Sequence, residues 1–159
     1  MTEGLILASA STVRSRLLAA AGVDFRIEPA EPLSSVPTSY WSAARYDKPA
    51  DLGQAPTQLQ ALRGRTHELV TAVCAVQDGS RLWHAVSSPR LTMRHFTDAF
   101  VDDYISAEGA GILRSVGAYR LEGRGVQLFE HVEGDYFAIL GLPLLELLGF
   151  LRNKRMILS

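Results

Sequence analysis

The chain has 159 residues, 47% hydrophobic and 21% charged, which are values of a globular domain long enough to bury a core. A net charge of -1 gives no bulk field to hold a nucleic acid or an anionic membrane surface, so neither is expected as a partner. No apolar run is long enough to span a bilayer, Met1-Thr2-Glu3 lacks the basic start of a secretion signal, and the single Cys74 cannot form an internal disulfide, so a cytoplasmic setting is expected.

Leu5, Ile6, Leu7 and Ala8 read as a buried strand. Ser9-Ala10-Ser11-Thr12-Val13-Arg14 follows, then an amphipathic segment ending at Gly22. Ser11 suits an N-cap and Gly22 a C′ position. Strand, tight turn and helix N-terminus in that order make an anion site, because free backbone N–H groups and the positive end of the helix dipole point outward there. Arg14 stands three residues into the helix, where its planar fork can reach a phosphate. The competing reading is a capped helix whose Arg14 faces water.

Val23, Phe25 and Ile27 alternate with polar residues, the period of a strand. Pro29 to Pro49 holds four prolines and no clean period, and reads as a loop of unusual length. Pro56 is expected to open a helix that buries Leu59 and Leu62 and stops at Gly64. His67 to Val76 and Arg81 to Val86 read as two strands joined by Gln77-Asp78-Gly79-Ser80, a hairpin signal. Cys74, inside the first, is expected to pack in the interior. Arg90 to His95 reads as a third strand of the same sheet.

Thr97 caps a helix with Phe100, Val101, Tyr104 and Ile105 on its inner face. Glycines 109, 111, 117, 123 and 125 mark a region where backbone is expected to approach a ligand. Val126 to Val132 reads as a strand and Phe137 to Leu140 as a short apolar segment. Pro143 opens the last helix, which runs through Leu151 and ends in Arg152-Asn153-Lys154-Arg155, charges that suit the dipole. His67 reads as a structural histidine. His84, His95 and His131 lack metal-ligand spacing. Asp102-Asp103 reads as a solvated helix face. There is no Ser-His-Asp pattern and no P-loop, and Gly123-Arg124-Gly125 is too short for a dinucleotide fingerprint.

Four blocks then add up. They are Leu7-Ala8-Ser9-Ala10-Ser11-Thr12-Val13-Arg14; Lys48-Pro49-Ala50-Asp51 running on to Leu62-Arg63-Gly64-Arg65-Thr66-His67-Glu68; Gly117-Ala118-Tyr119-Arg120-Leu121-Glu122-Gly123; and Glu133-Gly134-Asp135-Tyr136 through Gly141-Leu142-Pro143-Leu144. In this order, and over most of the chain, they resemble the Maf family of nucleotide pyrophosphatases, with Thr12 where proline is usual. The resemblance implies an α/β fold: a mixed, strongly twisted sheet flanked by helices, Maf/ITPase-like, with two lobes around a phosphate cleft. Residues 1–159 would form one such domain, with 33–46 irregular, as after a deletion. The family hydrolyses the α–β bond of nucleoside triphosphates with Mg2+ or Mn2+, is linked to septum formation and often forms homodimers.

In that scheme Arg14 and Lys48 neutralise phosphate charge, Ser9 and Ser11 line the phosphate pocket, and Glu122 faces the base or the metal. The turn carrying Glu122 is similar to that of members acting on 7-methyl-GTP, whereas pyrimidine-preferring members tend to have glutamine. A carboxylate can accept from guanine N1–H and the 2-amino group together, and it favours the extra positive charge of a 7-methylated ring. The family also carries an acidic pair after the second strand and a later strand ending in Gly-Ala-Asp or Gly-Ser-Asp, whose aspartate is the general base. Here Leu33 and Ser34 fall where the pair would be, and nothing between Leu33 and Tyr46 reads as strand, glycine and aspartate. Asp47 and Glu31 are the carboxylates left to stand in, with Asp47 the substitute base. The alternative is a nucleotide-binding protein of the same fold without hydrolysis.

Overall fold

Caps and turn residues set most of the element ends in the structure, a computed structural model describing residues 5–29 and 46–158. In chain order the elements are β1 (Leu5–Leu7), α1 (Thr12–Ala20), β2 (Phe25–Ile27), α2 (Ala55–Leu62), β3 (Thr66–Glu68), β4 (Thr71–Gln77), β5 (Ser80–Ser87), β6 (Arg90–Met93), α3 (Asp98–Glu108), β7 (Phe129–Glu133), α4 (Tyr136–Ile139) and α5 (Leu144–Asn153). This is the α/β class expected from the sequence, distributed over two compact units.

One unit holds β1, α1, β2, β4, β5, α4 and α5. β1 and β2 pair in parallel, Leu5 opposite Phe25, with α1 as the crossover. The Ser11 side chain accepts from the Arg14 backbone N–H and starts α1. Gly22, at φ +69°, lets the chain leave it. β4 and β5 form an antiparallel hairpin whose turn residues Asp78 and Gly79 both have positive φ, the two-residue turn that matches strand twist. Leu18, Val23, Leu142, Leu144, Leu147, Phe150 and Leu151 make the core. Val73, Ala75 and Trp83 pack onto it from one hairpin face, with Trp83 stacked on Phe150 at 5.0 Å. The opposite hairpin face, with Ala72, Cys74, Val76, Leu82, His84 and Val86, is exposed.

The other unit holds α2, β3, β6, α3 and β7 with three short 3-10 segments between α3 and β7. Its sheet runs β3-β6-β7, antiparallel throughout. Leu59, Leu62, Leu91, Met93, Val101, Tyr104, Ile112 and Leu128 are among its buried side chains. Thr97 caps α3 by accepting from the Phe100 N–H.

Several expectations are corrected. The run from His67 to Val76 is not one strand: β3 and β4 are separate, because Leu69 and Val70 carry the chain from one unit to the other. β6 does not continue the hairpin sheet; it pairs with β3 and β7. Residues 124–128 form a 3-10 turn, so the strand begins only at Phe129. The short apolar segment from Phe137 to Leu140 stands, most of it in helix α4, which Asp135 caps by accepting from the Phe137 and Ala138 N–H groups. Cys74 is exposed rather than internal, because it points to the uncovered hairpin face.

Candidate active site

Ser9, Ser11 and Arg14 come together at the start of α1. Ser9 Oγ accepts from the Ser11 N–H at 3.2 Å and from Arg14 Nη1 at 3.1 Å. Arg14 Nε donates to the Gly141 carbonyl at 2.8 Å. Gly141 follows α4 at φ +98°, and a Cβ there would sit 3.4 Å from Arg14 Nε. The guanidinium is thus fixed on two sides, and among the described residues its Nη2 has no hydrogen-bond partner. A donor held at a helix N-terminus with one face unspent suits an anion. Ser11 caps the helix, as the competing reading holds, but the Arg14 side chain is tied to Ser9 and Gly141 rather than left to water.

Lys48 and Asp47 are exposed in the segment before α2, and Pro49 behind them is buried. Asp51 closes the segment by accepting from the Gln54 N–H at 2.9 Å. Glu122 lies on the turn between the second and third 3-10 segments, in the same unit as Asp47 and Lys48, whereas Ser9, Ser11 and Arg14 belong to the other unit. Glu31 lies outside the described residues, as does the irregular stretch 33–45.

The Glu122 turn is built around Arg120. Its N–H donates to the Tyr104 hydroxyl at 3.2 Å, and that hydroxyl donates to the Ala118 carbonyl at 3.4 Å. Arg120 Nε donates to Glu122 Oε1 at 3.3 Å, and Arg120 Nη1 to Glu108 Oε2 at 3.1 Å. Glu108 Oε1 accepts from the Arg124 N–H at 2.8 Å. Gly125 is required here, because a Cβ would fall 2.3 Å from the Arg120 carbonyl oxygen. Four of the five glycines expected to approach a ligand approach their own chain: Gly111 and Gly125 meet Arg120, Gly117 meets Tyr119 and Gly123 meets Glu108, while a Cβ at Gly109 would meet nothing within 4 Å. Burial pushes the Tyr104 hydroxyl up to about 12, so it stays protonated and keeps donating.

His67 Nε2 shares a 2.9 Å hydrogen bond with the Tyr119 hydroxyl, while its buried Nδ1 has no hydrogen-bond partner among the described residues. Burial lowers the His67 pKa and raises that of Tyr119, so both are neutral at pH 7. Sequence reasoning missed Tyr104, Glu108 and Arg120. Glu108 and Arg120 are twelve positions apart across irregular chain, a pairing that no local period announces.

No group of three or more His, Cys, Asp or Glu side chains that could hold a metal ion occurs among the described residues. A shallow depression of about 290 Å³ lies on the outer hairpin face, lined by Ala72, Cys74, Arg81, His84 and Val86 among others; none of the candidate residues borders it. No helix among the described residues is long and apolar enough to cross a membrane.

The family model for Maf-like protein matches residues 34–154. A protein of Granulibacter bethesdensis named nucleoside triphosphate pyrophosphatase is 54% identical over 112 residues, covering 70% of this chain and 57% of that protein. A 7-methyl-GTP pyrophosphatase of Rhizobium etli is 53% identical over 108 residues, covering 68% and 54%. The chain thus aligns with little more than half the length of the first such relatives. A nucleoside triphosphate pyrophosphatase of Bradyrhizobium diazoefficiens aligns more fully, 40% identical over 191 positions that cover 96% of this chain and 95% of that protein. That alignment is longer than the 159-residue chain, so it holds positions this chain does not fill. On the family match and these identities together, the chain belongs to the Maf-like protein family.

Proposed function

We propose that this protein binds a nucleoside triphosphate and hydrolyses it between the α and β phosphates. The observation that carries the reading is Arg14, held by Ser9 Oγ and the Gly141 carbonyl at the N-terminus of α1 with Nη2 unpartnered among the described residues. The names of its relatives supply the substrate class. In the proposed reaction a water oxygen attacks the α-phosphorus. The bond from that phosphorus to the bridging oxygen breaks, and pyrophosphate leaves with the bond's electrons. A nucleoside monophosphate remains. Arg14 and Lys48 offset the charge gathering on phosphate oxygens, and Ser9 and Ser11 add donors beside Arg14. Asp47 takes the proton of the attacking water. Glu122 faces the base, and a 7-methylated guanine suits its carboxylate.

Mg2+ or Mn2+ would offset triphosphate charge. With no protein cage among the described residues, most of its ligands would be phosphate oxygens and water, and Glu122 the candidate side-chain ligand. A single Maf-like domain working in the cytoplasm, as a homodimer and with a link to septum formation, completes the proposal on family grounds.

A second reading, binding without hydrolysis, is favoured by one observation. The alignment with the Bradyrhizobium protein has positions that this chain leaves empty, and the family resemblance implies a general-base aspartate after a strand and glycine, a pattern that Leu33 to Tyr46 does not offer. Pyrophosphate release from UTP, dTTP, CTP and 7-methyl-GTP with Mn2+, beside Arg14→Ala, separates the two. Turnover lost in Arg14→Ala supports hydrolysis. A nucleotide that raises the melting temperature without releasing pyrophosphate supports binding alone. Neither effect, for any nucleotide, overturns both readings. A preference for UTP over 7-methyl-GTP removes the guanine assignment of Glu122.

A further inference from the structure

Glu108 and Arg120 form an ion pair that the proposed chemistry does not use. The Glu108 side chain is only 9% exposed, and both its oxygens are engaged, one by Arg120 Nη1 and one by the Arg124 N–H. A carboxylate so enclosed is spent on its own turn and has nothing left for a ligand. Its effect is on Arg120. With Nη1 tied to Glu108 and its backbone N–H on the Tyr104 hydroxyl, Arg120 is fixed at both ends. Its Nε then holds Glu122 Oε1. Glu122 is 22% exposed at the side chain, so its carboxylate is reachable but not free to swing.

Two atoms remain. Among the described residues neither Arg120 Nη2 nor Glu122 Oε2 has a hydrogen-bond partner. The turn therefore offers a donor and an acceptor from two side chains in contact, the donor fixed in place by a buried carboxylate. A base edge that meets both must present a carbonyl oxygen next to a ring N–H. Uracil, thymine and 6-oxopurines have that edge. Cytosine and adenine present an amino group next to an unprotonated ring nitrogen, which puts donor against donor and acceptor against acceptor.

Resting on the reading of Glu122 as the base-facing residue, we propose that Arg120, positioned by Glu108, is a second specificity-determining residue and selects nucleotides whose base carries a carbonyl beside a ring N–H. Arg120 supplies the donor and Glu122 the acceptor. Lysine is not equivalent to Arg120, because its compact ammonium lacks the planar fork that meets Glu108 through one nitrogen and Glu122 through another and holds a third in a fixed direction.

The test is calorimetric binding of UTP and CTP to the intact protein, with Arg14→Ala, Arg120→Lys and Glu108→Gln. The wild type is expected to favour UTP over CTP by about tenfold or more, and Arg120→Lys to bring the ratio close to one. Glu108→Gln, which keeps an acceptor for one neighbour, is expected to move the ratio the same way by a smaller factor. It also serves if Arg120→Lys does not fold. A purely structural pair would weaken both nucleotides alike and leave the ratio where it was. That result, with UTP still binding and Arg14→Ala still abolishing it, overturns the Arg120 proposal and leaves the function standing. No binding of either nucleotide to the wild type overturns the functional reading itself, and the Arg120 proposal with it.

Discussion

Individual side chains carry the chemistry here, and two can be probed alone. Asp47 is exposed beside Lys48, the place from which it would take a water proton. Asp47→Asn removes the base and keeps the shape, so pyrophosphate release should fall by at least about a hundredfold while nucleotide still raises the melting temperature. Unchanged turnover would exclude Asp47 as the base. His67 predicts a pH effect. Its folded pKa is lowered by burial, so the unfolded chain binds the proton more readily. The stability this group contributes is complete above its ordinary value of 6.5 and is lost as pH falls below that toward the folded value. The slope in that window is at most about 1.4 kcal/mol per pH unit for one proton. His67→Gln, which can still bond the Tyr119 hydroxyl, should flatten the fall in melting temperature between pH 7 and pH 5. An unchanged slope would place the titration elsewhere. Arg14 with its serines was legible because the residues are local and the cap has a sequence signature. Arg120 was not, because its partners Tyr104 and Glu108 are reached only through the folded 3-10 region.

Helices and turns followed their sequence signals more closely than strands did. Ser11, Gly22, Thr97, Asp78-Gly79 and Pro143 all mark the boundaries they were expected to mark. Thr97→Ala should therefore cost α3 about 1 kcal/mol, read as a melting temperature lower by about 2–4 °C. Gly149 lies inside α5, where an added Cβ meets nothing within 4 Å. Gly149→Ala should raise stability by about 0.5–1 kcal/mol, and a loss of stability would mean that this helix face packs against another surface. Strand partners were misread because pairing is a long-range choice. Nothing within Arg90 to Met93 says that it will join Thr66 to Glu68 rather than the hairpin immediately before it. Cys74 was misplaced for a related reason: Val70 to Val76 is apolar on both alternating faces, the pattern of a strand covered on both sides. Only the face bearing Val73 and Ala75 is covered.

At the scale of the whole molecule, the family was legible from four spaced blocks, and the family match bears it out. The resemblance also implied two lobes; which stretches make up each unit was not legible, since each is assembled from separate stretches of chain. The exposed hairpin face has a colloidal consequence. Val76 and Val86, 58% and 61% exposed, stand with Leu82 on a ribbon that is apolar on both faces. Such ribbons adhere to one another as soon as heating loosens their surroundings. Melting should therefore end in precipitate, with a midpoint that shifts with scan rate and protein concentration. Val76→Lys with Val86→Lys puts charge on both strands of that face and should restore most of the signal on a second heating scan. If the doubly charged variant still clouds on first heating, the stickiness comes from another surface.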